Sequence, residues 1–144
     1  NMIAEGPNAI VHDGTIYLIY SGSLVGIDYT TGLVTAPAGQ DADLTDPNVW
    51  TKLDYPLQKS GVYNGQWQLG TGHGMWSNDE DGNLIYVFHN AEYENGRYGG
   101  RDAQVRRVHW SKEGMPILDM QAAEELNPDY ADITMKIVVS GNKG

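Results

Sequence analysis

Alternation of apolar and polar positions marks three stretches of the chain, each broken by a turn. In "NAIVHDGTIYLIYSGS" (8–23) an apolar run meets Asp13-Gly14 and then alternates through Ile16, Leu18 and Tyr20. "GMWSNDEDGNLIYVFHNAE" (74–92) repeats the arrangement around Asp81-Gly82. "QVRRVHWSKEGMPIL" (104–118) brings Val105 and Val108 to a turn at Glu113-Gly114, followed by a short return strand. Asp-Gly between alternating runs is a hairpin signal, because a tight two-residue turn needs positive φ, which Gly and Asp tolerate. "VGIDYTTGLVTAPAG" (25–39) adds a strand, and "DADLTDPNVWTKLDYPLQKS" (41–60) reads as loop with a helical turn at Asp46-Pro47. "MQAAEEL" (120–126) is the one helix candidate, and "ITMKIVVS" (133–140) reads as a closing strand.

The fold class that follows is all-β, built from short antiparallel strands. Asp13-Gly14 and Asp81-Gly82 lie 68 positions apart, a spacing that suits one four-stranded sheet per period. Repeating sheets of that size point to β-propeller blades, whereas a sandwich does not account for the long repeat. The expected organisation is one blade over 1–60, a second over 61–120, and a short helix with a closing strand over 121–144. Two blades do not close a ring, and each needs neighbours on both faces. The chain is therefore expected to be a piece of a propeller, or to associate with copies of itself or with another chain.

Composition narrows the partners. Eighteen Gly and nine Tyr in 144 residues favour strands and tight turns. A net charge of −10 without a basic stripe argues against nucleic acid. No apolar run approaches the ~20 residues that span a bilayer, so no membrane partner is expected. The absence of Cys removes disulfides and thiolate metal sites and leaves the compartment open.

Three stretches carry candidate chemistry. Glu5 in "MIAEGP" sits between an apolar run and Gly-Pro; facing a dry site it would be a proton donor, facing water only a solvated charge. "QWQLGTGHGMW" (66–76) places His73 in what reads as a Gly-flanked turn between Trp67 and Trp76. Both rings could offer flat faces to a sugar, or both could fill the core. In "YVFHNAEYENGRYGGRDAQVRRVHW" (86–110) a strand is expected to end at His89 and resume after "GGRD". That puts Arg101 where loop becomes strand, with a guanidinium able to fork onto a carboxylate or sugar hydroxyls. Arg97, Arg106 and Arg107 read as surface salt bridges, and His12 and His109 receive no role.

Taken in order, these stretches resemble glycoside hydrolase family 43. "AEGPNAIVHDGTIYLIYSGS" is similar to the family's general-acid strand, and "YTTGLVTAPAGQDADLTDPNVWTK" to the stretch after it. "GTGHG" matches its Gly-rich turn carrying an axial His, and "GGRDAQVRRVHWSKEGMPIL" its later strand and hairpin. The likeness runs over most of residues 3–118. It implies a five-bladed propeller, of which this chain would hold about the last two blades, and hydrolysis of arabinose- or xylose-containing plant polysaccharides with inversion. Glu5 would be the general acid, Arg101 would lie in the sugar subsite, and His73 would face the central channel. No cofactor is required, although Ca2+ or another metal ion could sit in that channel beside His73. In the family the base and a pKa-tuning Asp precede the acid; here Asp13, Asp28 and Asp46 follow it, in the wrong context. The base is thus expected to be missing and the isolated chain inactive. The alternative is a non-catalytic carbohydrate-binding or assembly module derived from the same propeller.

Overall fold

A computed structural model describes residues 2–139. Ten strands fall into two four-stranded antiparallel sheets and one small hairpin. The first sheet is a meander of β1 (Ile3–His12), β2 (Thr15–Ser23), β3 (Thr30–Pro37) and β4 (Thr51–Lys52). The second is a meander of β5 (Gly61–Tyr63), β6 (Gln66–Asn78), β7 (Leu84–Glu94) and β8 (Arg97–Arg107). β9 (His109–Trp110) and β10 (Pro116–Ile117) pair with each other. Two such sheets, left unclosed, are the all-β propeller-blade architecture expected from the alternation.

The turns follow from residues that accept positive φ. Asp13 and Gly14 take φ 45° and 74° between His12 and Thr15, which pair directly. Asn64-Gly65 and Asn95-Gly96 make the same two-residue turn, at φ 48° and 77° and at 51° and 74°. Each pair supplies the two positive φ values of a type I′ hairpin, whose twist matches that of its strands. Gly82 at φ 83° closes a wider loop between Asn78 and Leu84.

The sheets pack face to face through alternate residues. Tyr17, Ile19 and Leu33 of the first meet Trp76, Tyr86 and Phe88 of the second, with Val108 and Leu118 sealing the cluster. Thr31 Oγ1 and the Tyr86 hydroxyl lie 2.7 Å apart inside that contact, so the two buried hydroxyls satisfy each other.

Several expectations are corrected. "MQAAEEL" forms only a single 3-10 turn, Ala122–Glu124, too short a stretch to bury a helical face. Residues 133–139 form no strand, and Ser140 lies outside the described residues. No strand ends at His89: β7 runs on to Glu94 and β8 starts at Arg97, because Asn95-Gly96 is itself the turn. Arg101 consequently sits within β8, opposite Ala91, and not at a loop boundary.

Candidate active site

Glu5 reaches the site through a kink in β1. Its partner on β2 is Ser21, but the next pairing is Asn8 with Ile19, so Gly6 and Pro7 together face Tyr20. Gly6 takes φ 60°, and Pro7 has no N–H to lose from the ladder. The Gly-Pro that follows Glu5 is therefore a bulge, the device by which strands re-aim a side chain.

β6 does the same from the other sheet. Its register with β7 shifts between Leu69 and Gly72 and again between Gly72 and Met75. Gly70 (φ 55°) and His73 (φ 49°) both adopt left-handed backbone. The "GTGHG" stretch is thus a doubly bulged strand and not a turn. His73, a non-Gly residue held at positive φ, projects toward Gly6, where any Cβ would come within 3.2 Å of its ring.

Tyr29 joins the two kinks. Its hydroxyl donates to Glu5 Oε1 at 2.7 Å and lies 3.2 Å from His73 Nδ1. His73 Nδ1 is itself 3.7 Å from Glu5 Oε1. The His73 backbone N–H donates to Ser21 Oγ at 2.6 Å, tying β6 to β2 directly beneath. Tyr29 is 2% exposed, whereas the Glu5 and His73 side chains are 44% and 52% exposed. The tyrosine is structural in its burial and the other two face solvent. Burial is the main cause that raises the Tyr29 pKa, with the Glu5 carboxyl adding to it.

Behind this trio the His89 ring lies nearly parallel to the Tyr29 ring, 5.7 Å away. Both of its nitrogens are buried without a hydrogen-bond partner among the described residues. Burial, then the charges of Arg101 and His73, hold its pKa below the ordinary imidazole value. Arg101 is exposed, and its charge acts on Tyr29 as well as on His89. Glu5 and His73, far apart in the chain, therefore meet at Tyr29, while Arg101 lies across from Ala91, two residues along β7 from His89.

The two tryptophans part company. Trp67 is 71% exposed and, with Asn90, Glu92 and Tyr93, borders an open groove on the second sheet. Trp76 is a core residue, 7% exposed, with its indole N–H donated to the Tyr17 carbonyl at 3.3 Å. Its faces are occupied, which corrects its place among the sugar-stacking candidates. Two of the arginines read as surface residues are also buried in part. Arg106 lies over the Tyr63 ring at 3.2 Å and donates to Gln68, and burial lowers its pKa to about 10. Arg107 forms a 3.0 Å ion pair with Asp79, both side chains more than nine-tenths buried. His12 stacks on Trp110 at 3.8 Å, and His109 meets Glu125 at 2.7 Å.

Tyr29 and His89 were not among the sequence candidates. Tyr29 precedes Thr31 and Leu33 at the same two-residue spacing, so alternation alone points it inward; a phenol at such a position needs a polar partner. As for a metal ion, no three His, Asp or Glu among the described residues converge closely enough to hold one. His73 alone does not make such a centre.

The profile of the glycosyl hydrolases family 43 matches residues 1–116. An extracellular exo-α-(1→5)-L-arabinofuranosidase of Streptomyces avermitilis is 31% identical over 88% of this chain and 27% of its own length. α-L-Arabinofuranosidase 43 of Humicola insolens is 36% identical over 79% of this chain and 24% of its own. Among solved structures, an α-L-arabinofuranosidase from Lactobacillus brevis superposes with a TM-score of 0.70 at 30% identity, covering 79% of this chain and 36% of that one. The chain thus spans about a quarter of the length of these two sequence relatives.

Proposed function

Because the chain belongs to the glycosyl hydrolases family 43, we propose that it carries the acid half of an inverting glycosidase site for arabinose- or xylose-containing polysaccharide. Glu5 is the proton donor to the leaving glycosidic oxygen. The observation that carries this reading is the convergence of Glu5 from β1, Tyr29 from the segment just before β3 and His73 from β6 on a solvent-facing carboxyl. A carboxyl that is anchored on one oxygen yet open to solvent can be both oriented and reached by substrate.

Arg101, exposed on β8, supplies the cation of the sugar subsite. A guanidinium presents its donors in a planar fork, which suits a pair of sugar hydroxyls better than a single point charge does. The Trp67 groove takes the chain beyond the scissile bond, with the indole as stacking face.

Inversion needs a second carboxylate ~6.5–9.5 Å from the first, with room for a water between them. In the family the base precedes the acid in the chain, whereas Asp13, Asp28 and Asp46 all follow Glu5. The base is therefore supplied by blades other than these two, and the 144 residues alone are catalytically silent. The test is hydrolysis of arabino- and xylo-oligosaccharides by the 144-residue chain, alone and mixed with a segment carrying the earlier blades of a family-43 propeller. Activity that appears only on mixing, releases the inverted anomer and is lost in Glu5→Gln supports the reading. Robust hydrolysis by the chain alone overturns the silent half, and activity unchanged in Glu5→Gln removes Glu5 from the acid role. Oligosaccharide binding without hydrolysis in any mixture favours a non-catalytic module.

A further inference from the structure

Resting on the reading of Glu5 as proton donor, we propose that Tyr29 is a positioning residue that reserves the second carboxyl oxygen of Glu5, Oε2, for the proton to be delivered. A carboxylic acid has two equivalent oxygens, and only one of them can face the leaving group. A donor locked onto the other decides which.

The Tyr29 hydroxyl has one hydrogen and two close partners, Glu5 Oε1 at 2.7 Å and His73 Nδ1 at 3.2 Å; Ser21, which like the Tyr29 ring lies beside Gly72, acts on it as a donor that lowers its pKa. Ser21 is committed in one sense already, because its oxygen accepts the His73 backbone N–H at 2.6 Å. Its own hydrogen is then free to be given to the Tyr29 oxygen. The shortest contact of the phenol is to the carboxyl, and hydrogen bonds to ionised acceptors are the shorter and stronger kind. So the Tyr29 hydrogen goes to Oε1. With that hydrogen spent, His73 Nδ1 faces the Tyr29 oxygen and, 3.7 Å away, Oε1. A bare nitrogen there would oppose lone pair to lone pair; a protonated Nδ1 donates to the Tyr29 oxygen. The assignment follows: Ser21 Oγ–H and His73 Nδ1–H both point at Tyr29, and Tyr29 points at Glu5.

This chain has a fixed direction. Oε1 is occupied as an acceptor whether or not the carboxyl is protonated, so the mobile proton belongs on Oε2, which accepts no side-chain hydrogen bond among the described residues. Tyr29 can hold this direction because its ring is buried and closely packed. The ring packs where Gly72 has no side chain: a Cβ there would come within 2.5 Å of it. On its other side lies His89. Arg101, His89 and Tyr86 are the other titratable groups acting on or stacked against Tyr29 among the described residues, and none of them makes a hydrogen bond to the phenol.

The test does not require turnover. The 144-residue chain, labelled with 15N in histidine, is observed above about pH 8, clear of the ordinary imidazole range. His73 is expected as the Nδ1–H tautomer in the wild type and as the commoner Nε2–H tautomer in Tyr29→Phe. A wild-type His73 that is Nε2–H overturns the proposal, as does a folded Tyr29→Phe that keeps Nδ1–H. Should Tyr29→Phe fail to fold, Ser21→Ala removes one donor and leaves the ring packing in place. Without that donor the Nδ1–H bond is the only one left to the Tyr29 oxygen, so the tautomer is expected to persist; its loss overturns the stated direction. In a mixture that hydrolyses, Tyr29→Phe lowers kcat by less than the ~10²–10⁴-fold of general-acid catalysis. The loss is greater for alkyl pentosides than for activated aryl pentosides, which need little protonation, and an equal loss on both overturns the role. Failure of Glu5→Gln to affect hydrolysis would instead overturn the acid assignment and leave the tautomer result standing.

Discussion

Tyr29 and Tyr86 are two tyrosines at one inter-sheet contact, built alike and used differently. Each ring packs against a glycine of β6: a Cβ on Gly72 would meet Tyr29 at 2.5 Å, and one on Gly74 would meet Tyr86 at 2.2 Å. Each hydroxyl has a partner 2.7 Å away, Glu5 within the first sheet for Tyr29 and Thr31 across the sheets for Tyr86. Burial raises both pKa values, and that of Tyr86 far above the usual phenol range. The difference is the partner. Tyr86 meets Thr31, which is 1% exposed, so its hydrogen bond closes on itself and serves only the core. Tyr29 meets Glu5, whose side chain is 44% exposed, so its hydrogen bond ends at the surface. A site is made here by letting one end of a core contact open to solvent.

The two glycines test that distinction most severely. Gly74→Ala drives a methyl into a ring that is wholly buried and tethered at its hydroxyl, so the backbone has to shift. The loss of stability is expected at or beyond the upper end of the ~1–3 kcal/mol typical of overpacking, read from urea or thermal unfolding. Gly72→Ala presses on Tyr29, whose hydroxyl partner Glu5 is half-exposed and can yield toward solvent. Its expected stability loss is smaller, while the His73 tautomer signal disappears. Equal destabilisation by both substitutions would erase the difference between core and site.

Thr31→Val follows in size. It keeps the shape of Thr31 and leaves the buried Tyr86 hydroxyl without its partner, a loss expected at ~1–3 kcal/mol. Adding Tyr86→Phe should restore most of it, since removing both polar groups leaves none unsatisfied. A double variant no better than the single would mean that the hydroxyl pair does not carry the contact.

The same contrast shows why some of this molecule could be read from its sequence. Asp13-Gly14 lies between runs whose alternation extends on both sides, so turn chemistry and periodicity agree. Asn95-Gly96 carries the same turn chemistry, but it lies in "NAEYENGRYGGRD", where apolar residues are sparse and the Gly pair at 99–100 mimics a loop. Glu5, His73 and Arg101 stood out because charged or titratable residues beside glycine are conspicuous. Tyr29 and His89 did not, because each looks like an ordinary member of a strand. What assigns them is the register shift in β1 and β6, and a shift of pairing between strands has no signature within one strand. Trp76 failed in the opposite way: alternation puts it on the inner face, but a Trp near a His invites a binding role.

His89 gives a smaller effect, through pH. Its buried ring resists protonation in the folded state, chiefly through desolvation and then through Arg101 and His73. The unfolded chain takes up that proton near the ordinary value of ~6.5. Below that pH the unfolded state binds more protons, so this contribution to stability is complete above ~6.5 and is lost as pH falls through the depressed folded value. Unfolding free energy measured from pH 7 to pH 5 should therefore decline, and His89→Gln should flatten the slope. An unchanged slope would show that the ring is hydrated and belongs to the open end of the contact.

The smallest effect on stability is expected at Trp67. The side chain is 71% exposed at the start of β6, so Trp67→Ala should change unfolding free energy by no more than ~0.5 kcal/mol. Its consequence should instead appear in binding. An indole face costs little entropy to present, because the side chain has only two rotatable bonds, and sugar stacking removes apolar surface from water on both partners. Trp67 borders the groove with Asn90, Glu92 and Tyr93, on the strands that also carry His89 and Arg101. An oligosaccharide held near Arg101 can extend along that groove, while a single pentose cannot span both. Trp67→Ala should weaken arabino- or xylo-oligosaccharide binding roughly tenfold, equivalent to about 1.4 kcal/mol, and leave binding of the free pentose unchanged, as measured by calorimetric titration. Equal losses for both ligands would move Trp67 into the monosaccharide site beside Glu5. No loss for either would leave it an exposed aromatic without a role, and the open end of the contact would then consist of Glu5, Tyr29, His73 and Arg101 alone.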